Sequence, residues 1–337
     1  MKFTIGYQMG EDSFANIVRE WREHIAEVYF PWNAMPSGRA ALSERRGATD
    51  WGAQNRLEED LRALRAMGIR LDLLFNANCY GGRGVSQHLE NQVISLLEHL
   101  EAAAGGVDVV TTTSLTVART VKRHFPAIEV RASVNMRIGT VQGMSYVTGL
   151  FDSFIVQRDF NRDIAHLEAL KKWADQNGKK LLLLANSGCL AFCSGQTFHD
   201  NLVAHEQEID ETINIPEWTP TVCWNLLRKR ENWLIILQAT WIRPEDLHRY
   251  EHLFGLVKLA TRMHARPQLV VEAYAKRAYR GNLLDLFEPS HGPALAPWVI
   301  DNTRFPDDWF ERTSGCDRQC DRCDYCSRIL AHVLRQG

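Results

Sequence analysis

The 337-residue chain lacks an excess of charge of either sign: 39 Lys and Arg stand against 41 Asp and Glu, a net of −2. That excludes the bulk basic field with which a protein gathers nucleic acid or an anionic membrane, and leaves RNA as a substrate only through a local patch. Long hydrophobic runs are also missing. The cleanest ones, such as Leu181 to Ala185, are far shorter than the roughly 20 residues a bilayer requires, so no membrane partner is expected. No apolar targeting stretch follows Met1-Lys2, where Phe3 to Tyr7 reads as a first strand, and a cytoplasmic location is expected. There is no internal repeat and no low-complexity tract. What is present is 45% hydrophobic and 24% charged residues, the balance of a globular protein with a large core. The basic pairs Lys171-Lys172 and Lys179-Lys180 and the run Arg228-Lys229-Arg230 read as solvated surface.

Short β-branched or aliphatic runs alternate with helical stripes. Strands are expected at Phe3–Tyr7, Glu27–Phe30, Ile69–Phe75, Val107–Val110, Ile128–Ala132, Phe154–Val156 and Leu181–Leu184, with Leu234–Leu237 and Phe254–Leu259 as two further candidates. The intervening helices are marked by stripes such as Phe14, Ile17, Val18, Trp21 and Ile25, capped by Asp12 or Ser13, and Val85, Leu89, Val93, Leu96 and Leu100. Nine strands for eight slots make one of the last two peripheral. Regular βα alternation favours a parallel sheet with helices outside, and this many units favours a TIM-type (β/α)8 barrel over an open doubly wound sheet. The barrel is expected over residues 1–282, with an insertion at about 190–232, followed by a cysteine-rich C-terminal extension over 283–337.

A parallel barrel gathers its working groups at the C-terminal ends of its strands. Just past the expected strands come Gln8, Pro31-Trp32-Asn33, Asn76 to Cys79, Thr111 to Thr113, Ser133 and Asn135, Gln157-Arg158-Asp159, and Asn186 to Cys189. Singly, each reads as a helix cap; as a set they mark the working face. Ser133, Asn135, Arg158 and Asp159 are the candidates for orienting a substrate. The guanidinium of Arg158 suits a carboxylate or phosphate, and an ion pair with Asp159 or a neighbour is the alternative.

Cysteine placement is the sharpest signal. Cys316, Cys320, Cys323 and Cys326 form C-x3-C-x2-C-x2-C within eleven residues. In a reducing compartment such a set reads as metal ligands rather than disulfides. Zinc normally uses two knuckles separated by a longer loop, whereas a tight string suits a [4Fe-4S] cluster, which is the favoured reading with zinc as the alternative. The first three also fit the spacing of radical S-adenosylmethionine enzymes, but they lie late in the chain and Cys326 is at hand to close the site. Cys79 and Cys189 fall at two strand ends, Cys193 lies one turn beyond Cys189, and Cys223 lies in the insertion. With His199 or Cys223 as fourth ligand they could hold a second metal; for Cys223 alone, a buried small hydrophobe is the better account.

Asn186-Ser187-Gly188-Cys189-Leu190-Ala191-Phe192-Cys193 followed by Phe198-His199-Asp200-Asn201 resembles the cysteine segment of the collagenase-like U-32 peptidase family, in the branch with Cys-x3-Cys and His-x-Asn. Arg131 to Asn135, Gln157-Arg158-Asp159, Arg243 to Leu247 and Lys258 to Arg262 resemble further segments in the same order. Asp159 replaces the family's Glu, Ala260-Thr261 replaces Glu-Gly, and the longer Cys-x6-Cys spacing is absent. The resemblance implies a barrel and a [4Fe-4S] cluster held by barrel cysteines. It also implies either peptidase activity or oxygen-independent hydroxylation of a small organic substrate such as a quinone precursor, or of an RNA base. The latter would need an electron donor and leaves a homologous second subunit open as a partner. The chain shows no G-x-S-x-G, no H-E-x-x-H and no cysteine with an obvious partner histidine. The expectation is therefore an iron–sulfur-dependent modifying enzyme, with a metal-dependent peptidase and a non-catalytic electron-transfer or scaffold protein as alternatives.

Overall fold

Runs such as Leu71 to Phe75 are buried at every position because a parallel strand in a barrel is covered on both faces. In the computed structural model, which describes residues 1–10, 14–32, 35, 37–38 and 50–337, these runs form one closed parallel barrel of eight strands. They are β1 (Lys2–Gly6), β2 (Ile25–Pro31), β3 (Arg70–Phe75), β4 (Val109–Thr112), β5 (Glu129–Ala132), β6 (Ser153–Ile155), β7 (Lys180–Leu184) and β8 (Leu256–Leu259). Strand β8 pairs with β1, Lys2 opposite Leu256, and the TIM-type expectation holds. The cap expected at Asp12 or Ser13 and the residue Asn33 lie outside the described residues.

Three local readings are corrected. Leu234–Leu237 is a helical turn, not a strand, because four apolar residues fit a buried turn as well as a buried strand. The first helix stops at Glu20 and Ile25 already begins β2, so the stripe ending in Ile25 joins two elements. Val85 is 91% exposed and outside its helix, which begins at Gln87 after Ser86, whose hydroxyl accepts from Leu89 N.

Between β7 and β8 the chain leaves the regular pattern, forming helices at Gln196–Ala204, Glu206–Asp210 and Val222–Leu227. Beyond the helix Pro267–Lys276 the tail adds β9 (Trp298–Ile300) and β10 (Leu334–Gln336), an antiparallel pair. A column of rings fixes this tail on the barrel: Trp241 stacks on Phe287 at 5.2 Å and on Trp309 at 5.8 Å, and Trp309 stacks on Tyr325 at 6.2 Å. The Arg162 guanidinium lies 5.0 Å from the Trp241 ring and 5.5 Å from Trp309. Gly188 admits the tail to the end of β7. A Cβ there would stand 2.1 Å from Pro289 O, and its N–H donates to Glu288 O at 3.1 Å. Among the described residues no helix is long and apolar enough to cross a membrane.

Candidate active site

The strand ends converge on one face, but the structure divides the expected site residues into three groups. Ser133 is buried, and its Oγ accepts from Asn135 N at 3.3 Å, capping the short turn Val134–Met136. Asn135 donates to Asn76 O, and its own carbonyl accepts from Asn78, both at 3.3 Å. Asn76 Oδ1 in turn accepts from Gly38 N at 3.1 Å, and a Cβ on Gly38 would meet Asn135 Nδ2 and Asn76 O at 2.8 Å. Ser133 and Asn135 therefore bind strand-end loops to one another.

Arg158 and Asp159 lie elsewhere on the rim, in the turn after β6. Asp159 accepts from Gln157 Nε2 at 2.8 Å and from the backbone of Phe192, tying the start of the insertion to the barrel. Arg158 is only 5% exposed, yet its side chain makes no ion pair with Asp159 and no hydrogen bond recorded among the described residues. It lines a cavity of about 430 Å³ together with Arg162, Cys193, Cys316, Cys320 and Cys326. The tail reaches this cavity through Arg318, which pairs with Asp163 at 3.1 Å and stacks over Phe192 at 5.3 Å and Phe160 at 5.7 Å.

The eight cysteines are all free and fall into two neighbourhoods and one outlier. In the tail, Cys326 feels Cys316, Cys320 and Cys323; burial first, and then these neighbours, push its thiol pKa up. In the insertion, burial and then Cys189 and Cys193 push Cys223 up to about 11. Four thiols in mutual range are a donor set suited to a soft metal or a cluster. Even so, among the described residues no three His, Cys, Asp or Glu side chains stand in coordinating positions. His199 lines another cavity, of about 790 Å³, with His264 and Glu288.

Cys79 is the outlier. It stands beyond β3, where its thiol accepts from Gly81 N at 3.3 Å and lies in electrostatic range of His205. Those two interactions, His205 foremost, hold its pKa below the ordinary thiol value; the same contact, foremost, raises that of His205. His205 Nδ1 is 3.1 Å from Glu208 Oε2. The charged groups that act on Cys79 are His205 and Glu208. Sequence reasoning did not find His205 because it lies in the insertion, 126 positions away (205 − 79), in a stretch without periodicity.

The floor of the barrel carries a second unforeseen group. Glu27, Asp72 and Arg131 are at most 1% exposed, both carboxylates pair with Arg131, and Lys258 Nζ stands 3.6 Å from the centre of the Tyr29 ring.

The fold and rim define an eight-stranded α/β barrel with a cysteine-bearing tail at the mouth. Comparison with known proteins agrees with the U-32 resemblance. The chain is 23% identical over 290 residues to an uncharacterized protease of Methanocaldococcus jannaschii, covering 83% of this chain and 81% of that protein. In fold it is similar to the U32 peptidase Mk0906, with a TM-score of 0.55 and 15% identity, covering 77% of this chain and 92% of that one. No family model matches the sequence.

Proposed function

We propose that this chain is a U-32-type hydrolase of peptides whose substrate occupies the rim cavity between the turn after β6, the insertion and the tail. The observation that carries the reading is Arg158. Its guanidinium faces the cavity, and its fork matches a carboxylate through two parallel hydrogen bonds. A peptide offers such a group at its C-terminus or on an acidic side chain. The names of the similar proteins, a protease and a peptidase, support the peptide part. Incubating the purified protein with a defined peptide mixture and reading the products by mass spectrometry tests it. Arg158→Ala should lower kcat/KM for carboxylate-bearing peptides about 10- to 100-fold, the worth of a charge-assisted hydrogen bond. No cleavage of any peptide, with or without added metal or reductant, would overturn the reading.

A second reading follows from the shared cavity, which both the tail (Cys316, Cys320, Cys326) and the barrel (Cys193) line. In it the tail quartet holds a [4Fe-4S] cluster, with zinc as the alternative, next to a substrate that Arg158 orients. A cluster so placed would supply electrons for an oxygen-independent modification such as hydroxylation. Arg162, fixed by Leu237 O at 2.9 Å and by the carbonyl of Ala239, would keep a positive charge beside the thiolates. A cytoplasmic, reducing setting suits eight free cysteines. Iron and sulfide analysis of anaerobically purified protein, with turnover assayed with and without reductant, separates the two readings.

A further inference from the structure

Three arginines line the rim cavity, and two of them are committed. Arg162 donates to Leu237 O at 2.9 Å and to the carbonyl of Ala239, with its guanidinium against the rings of Trp241 and Trp309. Arg318 is held by Asp163 at 3.1 Å. Arg158, 5% exposed, has neither an ion pair nor a hydrogen bond recorded among the described residues. Polar side chains on the same wall are engaged: Asp159 accepts from Gln157 Nε2 and Phe192 N, Thr240 donates to Cys189 O at 3.1 Å, and Thr313 donates to Trp309 O at 2.8 Å. Much of the remaining wall is aliphatic or aromatic, from Leu190, Phe192, Val222, Leu226 and Ile235. Phe192 and Leu226 are 47% and 39% exposed, and apolar surface left open in a concave site marks a place for a ligand.

We infer that this cavity takes the C-terminal residue of a peptide with an apolar side chain, Arg158 holding the terminal carboxylate and the aliphatic and aromatic wall receiving the side chain. The inference rests on the peptide reading above and narrows it, since an acidic side chain within a chain would also offer Arg158 a carboxylate. Such an internal residue brings a peptide group on each side, and every N–H and C=O taken from water without a partner costs free energy. A chain end brings peptide groups on one side only, and Ser194 and Gln238 on the same wall are polar groups for them. Size points the same way. The cavity, about 430 Å³, is at the small end of the range for small-molecule sites, about 300–1,000 Å³, so it suits a chain end better than a running chain. A basic C-terminal side chain is disfavoured, because three guanidiniums already line the space and the carboxylate of Asp159 is engaged.

The test uses the full-length protein and calorimetric titration with defined probes: N-acetyl-Leu-Leu with a free C-terminus, the same compound as its C-terminal amide, N-acetyl-Leu-Glu-Leu amide, and 4-methylpentanoate. The free acid should bind at least about tenfold tighter than its amide, the worth of a charge-assisted hydrogen bond, and tighter than the other two probes. Arg158→Ala should bring the acid down to the level of the amide, and Arg158→Lys should restore part of the difference. Leu226→Ser, at a partly exposed position, should weaken acid and amide by the same factor. Equal binding of acid and amide, a preference that survives Arg158→Ala, or an internal-glutamate probe as tight as the acid overturns the inference. So does 4-methylpentanoate binding as tightly as the acid, which would make the ligand a free apolar acid. Peptide cleavage without C-terminal preference sinks the inference and leaves the peptide reading standing. Selective binding of the free acid with no cleavage of any peptide does the reverse.

Discussion

Arg131 on β5 reaches across the barrel and forks onto Glu27 of β2, with Nη1 2.5 Å from Oε1 and Nη2 3.1 Å from Oε2. Both side chains are at most 1% exposed. The same guanidinium meets Glu129 at 2.8 Å, Asp72 at 3.4 Å and Ser153 Oγ at 3.1 Å. Barrel interiors are ordinarily filled by branched apolar side chains. Here part of that layer is an ion cluster whose members come from β2, β3 and β5, so it ties together strands that lie far apart in sequence.

Removing Arg131 alone takes the ion-pair partner from buried Asp72 and leaves Glu27 with Arg70 at 3.4 Å. Arg131→Met should therefore cost about 3–5 kcal/mol, the range for breaking a buried pair from one side. The double variant Glu27→Gln, Arg131→Met should recover part of that loss, because one of the two buried negative charges is neutralised. Urea unfolding midpoints read both. A single variant within about 0.5 kcal/mol of the parent, as for a surface change, would mean that the cluster is not stabilising.

Acid should act on the same cluster through Glu129. Burial alone would raise its pKa, but Arg131, with hydrogen bonds from Lys180 and Ser153, outweighs burial and holds it well below the usual carboxylate range. A folded pKa below the unfolded one stabilises the fold above the unfolded value of about 4.3, and that contribution is lost as pH falls through the folded value. Asp72 has the opposite sign. Burial outweighs Arg131 and pushes it up to about 6, so its ionisation costs stability as pH rises from about 3.9 toward that value. Glu129→Gln should flatten the decline in stability below about pH 4, measured as urea midpoints against pH. An unchanged acid limb would assign acid sensitivity to other carboxylates.

The strands were legible because each barrel strand centres on a short β-branched or aliphatic run followed by a helix stripe. Their edges were less so: Val107 reads as strand, but β4 starts only at Val109, after Gly105 and Gly106 have turned the chain. The rim was legible as a set of positions and not as partnerships. Arg158 and the tail cysteines share a cavity, whereas Ser133 and Asn135, with the same polar signature, serve as a cap and a loop tie. Cys79 was visible as a strand-end cysteine, but the charged groups that act on it were not, since nothing local in a sequence says which rim loop an insertion crosses. The ion cluster was hidden because single charges inside apolar runs, such as Asp72 within Arg70–Phe75, look like outward-facing positions.

The tail should respond to its two anchors differently. Residues 315–324, between the helices Trp309–Ser314 and Tyr325–Val333, contain no helix or strand, and Cys316, Cys320 and Cys323 there are exposed. The flanking helices instead bury Trp309, Ile329 and Val333. Chelation, or Cys320→Ser with Cys323→Ser, should expose residues 315–324 to limited proteolysis if metal binding orders them, with the flanking helices still docked. Trp309→Ala should release the whole tail at a cost of about 3–5 kcal/mol. Equal protease resistance with and without chelator would exclude a metal at the quartet.

The Cys189–Cys193 pair decides whether barrel and tail share one metal or hold two. Cys193 lines the same cavity as Cys316, Cys320 and Cys326, while Cys189 and Cys193 also sit in electrostatic range of Cys223. Ligand thiols must lose their protons to bind metal, and burial raises the pKa of Cys223 and Cys326 alike, so both neighbourhoods should release protons on loading. A Cys189→Ser, Cys193→Ser variant separates the arrangements by iron content after anaerobic purification. Retention of the parent's iron would make these two cysteines ordinary packing groups. Loss of about half would mean two independent clusters of equal size, as four-thiolate ligation of each would require. Complete loss would mean one site formed jointly by barrel and tail. The shared cavity makes complete loss the expected outcome, because a serine at Cys193 then changes the wall against which the tail thiols close.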